Sequence, residues 1–214
     1  MQPQKGLTAM GTQIALCDVR GPLADLLEKV SGEDGEQWFG GLKRFLRKEN
    51  PWEPIIFKAL KTIRLGTHKN VKALKSAITD AGFHISDWAN DILGKRAFTI
   101  ASKETSIDLM TATVEELGFK EATRYDAICA RIRELGYELC PAEVGPQLRL
   151  QYQDQPLNEW LVIAMEAISV SDGSLYVFSV RHLDDGQWLD TYRGSPGSLF
   201  NPFYRFVFTR RKSR

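Results

Sequence analysis

Apolar residues recur along this chain with two periods, and the change from one to the other divides it. Leu23, Leu26, Leu27 and Val30 share one helical face, and Trp38, Phe39, Leu42, Phe45 and Leu46 share another. The spacing predicts helices over 21–30, with Pro22 in the first turn, and 36–48, joined by a turn at Ser31–Gly35. Pro51 and Pro54 end this helical hairpin, and Asn50–Pro54 is the candidate linker. The expected division is an N-terminal helical segment over 1–50 and an α+β domain over 55–214.

From Ile55 onward the two-residue period of a strand appears. Phe57, Ala59, Lys61, Ile63 and Leu65 alternate with Lys58, Leu60, Thr62 and Arg64 up to Gly66. Thr67 or Asn70 can cap a helix carrying Val71, Leu74 and Ile78, with Gly82 as its C-cap. Ser86 opens a shorter helix ending at Gly94. Strands are expected over 97–101 and 107–114. Thr123 and Asp126 have capping-box spacing before a helix to Leu135 with Tyr125, Ile128, Ile132 and Leu135 inward.

Pro141 and Gly145-Pro146 predict an irregular connection over 137–147, and Leu148, Leu150 and Tyr152 predict a strand after it. Strands follow over 160–168, 175–183, 187–192 and 205–209. Two Asp-Gly turns among them predict antiparallel hairpins. The fold class is therefore α+β: an N-terminal helical hairpin, a mixed middle segment, and a C-terminal antiparallel sheet of four or five strands packed by the Thr123–Leu135 helix.

Composition changes this picture little. The 214 residues are 43% hydrophobic and 26% charged, ordinary for a soluble protein. No apolar run reaches the roughly 18 residues that span a bilayer, and the N-terminus lacks a secretory core, so a cytoplasmic protein is expected. Cys17, Cys129 and Cys140 have no metal spacing and read as reduced thiols. The stretch from Glu134 to Pro156, followed by EWLVIAMEAI, SDGSLYVFSV and DDGQWLDT, resembles a recurrent family of hypothetical proteins from small-genome environmental bacteria. The middle stretch from Lys61 to Lys95 resembles the same family. The resemblance implies a bacterial, cytoplasmic protein and carries no activity, cofactor or partner.

Charge is more informative. Between Gly41 and Lys75 lie ten basic residues against Glu49 and Glu53, a local balance of +8, whereas 101–150 holds six basic against nine acidic residues. Such a field attracts nucleic acid or an acidic protein. Lys43, Arg44, Arg47 and Lys48 on the second helix, with Lys58, Lys61 and Arg64 on the first strand, are the candidate binding residues. The alternative is a set of solvated faces that never meet.

No Gly-rich phosphate loop and no metal-ligand spacing occurs, so neither a cofactor nor a metal is expected. His68, His84 and His182 are scattered. Glu143 in the Pro141–Pro146 turn, Glu166 in an apolar run and Asp190 on a strand are the catalytic candidates, since paired carboxylates can carry hydrolytic acid–base work. Salt bridges to Arg149 or Arg181, or a solvent-facing position on an edge strand, are the preferred account of them. The function expected is a binding protein with a basic surface; a small carboxylate-dependent hydrolase, or a structural subunit assembling through the N-terminal hairpin, stand as alternatives.

Overall fold

The computed structural model describes residues 16–50 and 55–210. The chain separates into two compact units, Met1–Pro54 and Ile55–Arg214. The expected N-terminal tail, most of the linker at Asn50–Pro54 and the last four residues of the basic C-terminus lie outside the described residues.

In the first unit, α1 (Leu16–Ser31) and α2 (Gly35–Leu46) form the expected helical pair. The first helix begins five residues earlier than the periodicity suggests, so Pro22 lies inside it. Lys29 Nζ sits 5.1 Å from the centre of the Trp38 ring, a cation–π contact between the helices.

The second unit is α+β, built on a nine-stranded sheet with strand order β1-β3-β11-β6-β8-β9-β2; β5 also pairs with β11 and β7 with β8. The long strands are β1 (Lys58–Leu65), β3 (Thr105–Thr113), β6 (Glu159–Ile163), β8 (Leu175–Leu183), β9 (Gly186–Arg193) and β11 (Arg205–Arg210). The short ones are β2 (His84–Ile85), β4 (Thr123–Arg124), β5 (Tyr137–Glu138), β7 (Ile168–Ser169) and β10 (Leu199–Phe200). The β8–β9 hairpin turns at Gly186, whose φ of 108° suits glycine. The sheet is mixed where the sequence suggested antiparallel pairing: β11 runs parallel to β6, and β2 parallel to β9. Those pairs join segments remote in sequence, where no turn signal exists to be read.

Helices α3 (Val71–Asp80) and α4 (Asp87–Gly94) start at the expected caps. Asn70 accepts the Ala73 N–H at 2.9 Å, and Ser86 accepts that of Ala89 at 3.4 Å. Helix α5 (Tyr125–Glu134) buries Tyr125, Ile128 and Ile132 as the pattern requires, while Leu135 is half-buried. Its capping box does not form. The backbone N–H groups of Tyr125 and Asp126 donate instead to the carbonyls of Ser198 and Pro196, so the loop before β10 satisfies the helix start.

Two further expectations are corrected. Residues 97–101 form no strand, and the Ala101 N–H is spent on the carboxylate of Glu143, far along the chain. The strand expected over Leu148–Tyr152 is part of helix α6 (Val144–Gln151), which packs against β1, β8, β9 and α3. Both apolar and polar residues of α6 are buried, so a five-residue alternation imitated a strand. Pro146 is accommodated because the first helical turn has backbone N–H groups without intrahelical partners.

Candidate functional site

The three carboxylate candidates are held in separate places. Glu143 precedes α6 and is 1% exposed. Gly66 N–H donates to its Oε1 and Ala101 N–H to its Oε2, both at 2.7 Å, and Gln147 Nε2 donates to Oε1 at 3.0 Å. Glu166, expected within an apolar strand, lies past the end of β6 with its side chain 84% exposed, and it pairs with Arg133 at 2.6 Å. Asp190 on β9 pairs with Arg181 Nε at 2.8 Å and accepts the N–H of Thr191. No hydrogen bond or ion pair links any two of these three. Each is occupied in fastening backbone or neutralising an arginine, an arrangement suited to structure rather than proton transfer.

Helix α6 places Glu143, Gln147 and Gln151 four residues apart on one face, and they form a polar ladder. Gln147 bonds Thr67, and Gln151 receives the Arg64 N–H at 2.9 Å while donating to the Arg64 carbonyl at 2.8 Å. Thr67 Oγ1 is 2.9 Å from His68 Nδ1. A pocket of ≈ 270 Å³ opens beside this ladder. On the other side of the helix Arg149 is fully buried. Its guanidinium donates to Gln155 at 2.5 Å, to the Tyr152 carbonyl at 2.6 Å and to Gln187, and stacks 4.8 Å from the Phe83 ring. Burial pulls its pKa down to about 10, still far above neutrality, so it remains a cation.

The basic candidates fall in both units. In the first, Lys43 lies 4.5 Å over the Phe39 ring and Arg44 donates to the Asn50 carbonyl at 2.5 Å; Arg47 and Lys48 are exposed at the end of α2. In the second, Lys58 is exposed, but Lys61 pairs with Asp154 at 2.8 Å and Arg64 with Glu104 at 2.9 Å. Lys61 and Arg64 are three apart on a strand and so point to opposite sides of the sheet.

A second basic cluster was not singled out by the sequence. A cleft of ≈ 870 Å³ runs between α3 and α4, lined by Lys72, Lys75, Lys95 and Arg96. Ser76, Thr79 and Asn90 add neutral donors, and Asp87 is the one carboxylate in the lining. Lys75 Nζ bonds Asn90 Oδ1 at 2.7 Å, bridging the two helices. Lys95 pairs with Asp91 at 3.0 Å and donates to Ser171 at 2.7 Å; Lys72 and Arg96 are exposed. The readable signal was Lys72, Lys75, Ser76 and Thr79 at i, i+3, i+4 and i+7, one polar face of a helix. Lys95 and Arg96 join them only because α4 folds back beside α3.

Among the described residues the thiols and histidines form no competing centre. Burial raises the Cys129 pKa to about 11 and that of Cys140 further. His84 stacks on Trp188 at 4.6 Å, and His182 Nδ1 lies 2.6 Å from the Gln155 carbonyl. Among the described residues no group of three or more His, Cys, Asp or Glu side chains could hold a metal ion, and no helix is long and apolar enough to cross a membrane. No protein-family model, curated protein or solved structure matches this chain.

Proposed function

We propose that this is a binding protein, and that the ligand of its second unit is nucleic acid, held by its phosphates in the α3–α4 cleft. The observation that supports the reading is the lining itself: four basic side chains, of which Lys95 is paired with Asp91, against one lining carboxylate, with hydroxyl and amide donors interleaved. Lysine, arginine, serine, threonine and asparagine are the side chains that contact phosphate oxygens and fix a protein's position on a nucleic-acid backbone. The cleft is open and carries no paired carboxylates, which favours binding over hydrolysis. None of the binding residues inferred from the sequence lines this cleft, and Lys61 and Arg64 are paired with Asp154 and Glu104.

Fluorescence anisotropy with short labelled oligonucleotides, at low and moderate salt, tests the reading. Binding is expected to weaken steeply with salt, since each neutralised phosphate releases counterions. Lys72→Gln with Arg96→Gln is expected to lower affinity and flatten the salt slope by about two contacts. Poly-glutamate serves as competitor. Absence of oligonucleotide binding at low salt, or equal displacement by poly-glutamate, would overturn the nucleic-acid reading; the second result would point to an acidic protein.

A further inference from the structure

The N-terminal helical pair leaves its apolar side chains uncovered. Leu27 is 67% exposed, Phe45 66% and Leu46 70%, with Leu23 and Phe39 about half exposed. Its charges are sorted by end. The turn end carries Glu28, Glu33, Asp34 and Glu36 against Lys29, whereas the far end of α2 carries Lys43, Arg44, Arg47 and Lys48 against Glu49. Along the 12 residues of α2 the sign therefore reverses over about 18 Å.

We propose that the α1–α2 pair is a self-association surface whose occupant is the same pair of a second copy, arranged antiparallel about a two-fold axis. Such an axis places the acidic turn of each copy against the basic end of the other, so both charge contacts form at once. Parallel alignment would oppose like charges at both ends, and a uniformly acidic or basic partner would meet repulsion at one of them. The five large apolar side chains of each copy, doubled by symmetry, supply on the order of the 1,000 Å² that a specific interface needs. The surface is independent of the α3–α4 cleft.

Sedimentation velocity on the full chain, freed of nucleic acid, is expected to show a monomer–dimer equilibrium across a concentration series. Two charge-reversed proteins test the pairing. One carries Glu28→Lys, Glu33→Lys and Glu36→Lys; the other carries Lys43→Glu, Arg47→Glu and Lys48→Glu. Each alone opposes like charges at both contacts and is expected to dimerise about a hundredfold more weakly or worse. Mixed, they restore both contacts, and the heterodimer is expected at near the original affinity. Phe45→Gln with Leu46→Gln reads the apolar part separately and is expected to weaken the dimer about tenfold or more at unchanged far-UV helicity. A monomer throughout the series, or charge-reversed proteins that dimerise alone as well as they do together, would overturn the proposal.

Discussion

Gly66 donates its backbone N–H to Glu143 Oε1 at 2.7 Å, fastening the end of β1 to the start of α6. The other carboxylate oxygen takes the N–H of Ala101. One side chain therefore satisfies backbone donors from two segments that the sheet leaves unpaired. Glu143→Ala is expected to cost about 2–5 kcal/mol, because two backbone donors lose their acceptor at once. Urea unfolding monitored by near-UV circular dichroism measures the loss, and a change under about 1 kcal/mol would show the carboxylate idle in the fold.

Gly145 in α6 faces Phe178 on β8 so closely that an added Cβ would lie 2.6 Å from the ring. Gly145→Ala is expected to destabilise by about 1–3 kcal/mol through overpacking. The accompanying Phe178→Leu change should recover part of that loss. Additive losses in the double variant would contradict a shared packing cause.

On α5, Ile128 is fully buried whereas Leu135, the C-cap residue, is only half-buried. Ile128→Ala should cost about 2–5 kcal/mol and Leu135→Ala distinctly less. Equal losses in chemical denaturation would mean that the helix buries more of its C-terminal end than described.

Asp91 accepts the Ser171 N–H at 2.6 Å and pairs with Lys95, and these contacts hold its pKa below the usual carboxylate value. A folded pKa below the unfolded one gives stability that is present above the unfolded value of 3.8 and lost as pH falls through the folded value. Asp91→Asn is therefore expected to flatten the acid limb of a thermal-melting profile while changing its neutral plateau less. An unchanged acid limb would rule out this coupling.

With a pKa raised to about 11, Cys129 has about one thiolate in a thousand molecules at pH 8, and Cys140 has fewer. In a Cys17→Ser protein, Ellman's reagent is expected to find no fast-reacting thiol until denaturant is added. One rapid thiol under native conditions would place a cysteine at the surface.

Elements set by neighbouring residues were legible in the sequence. The caps Asn70 and Ser86, the turn glycines Gly82 and Gly186 and the apolar stripes of α3 and α5 all act within a few positions of themselves. What escaped depends on remote partners. The capping box of α5 was displaced by carbonyls some seventy residues away. Helix α6 hid because its i, i+4, i+8 set is polar, Glu143, Gln147 and Gln151, and hydrophobic periodicity is blind to a buried polar face. Arg149 looked like the solvent side of a strand, yet its two terminal nitrogens donate to Gln155, Gln187 and a backbone carbonyl inside the fold. The basic window was visible as composition, but Lys72 and Lys75 acquire Lys95 and Arg96 as neighbours only through the packing of two helices.

The position of β11 bears on how the sheet is assembled. It follows every other strand in chain order, yet it occupies an interior place, antiparallel to β3 on one side and parallel to β6 on the other. Until residues 205–210 arrive, the sheet can exist only as two ribbons, β1–β3 and β6–β8–β9, each with a bare inner edge. Phe206, Val207 and Phe208, all fully buried, then close the seam. The seam thus joins distant stretches of chain, a topology that slows the search for the native state and leaves sticky edges open until it closes.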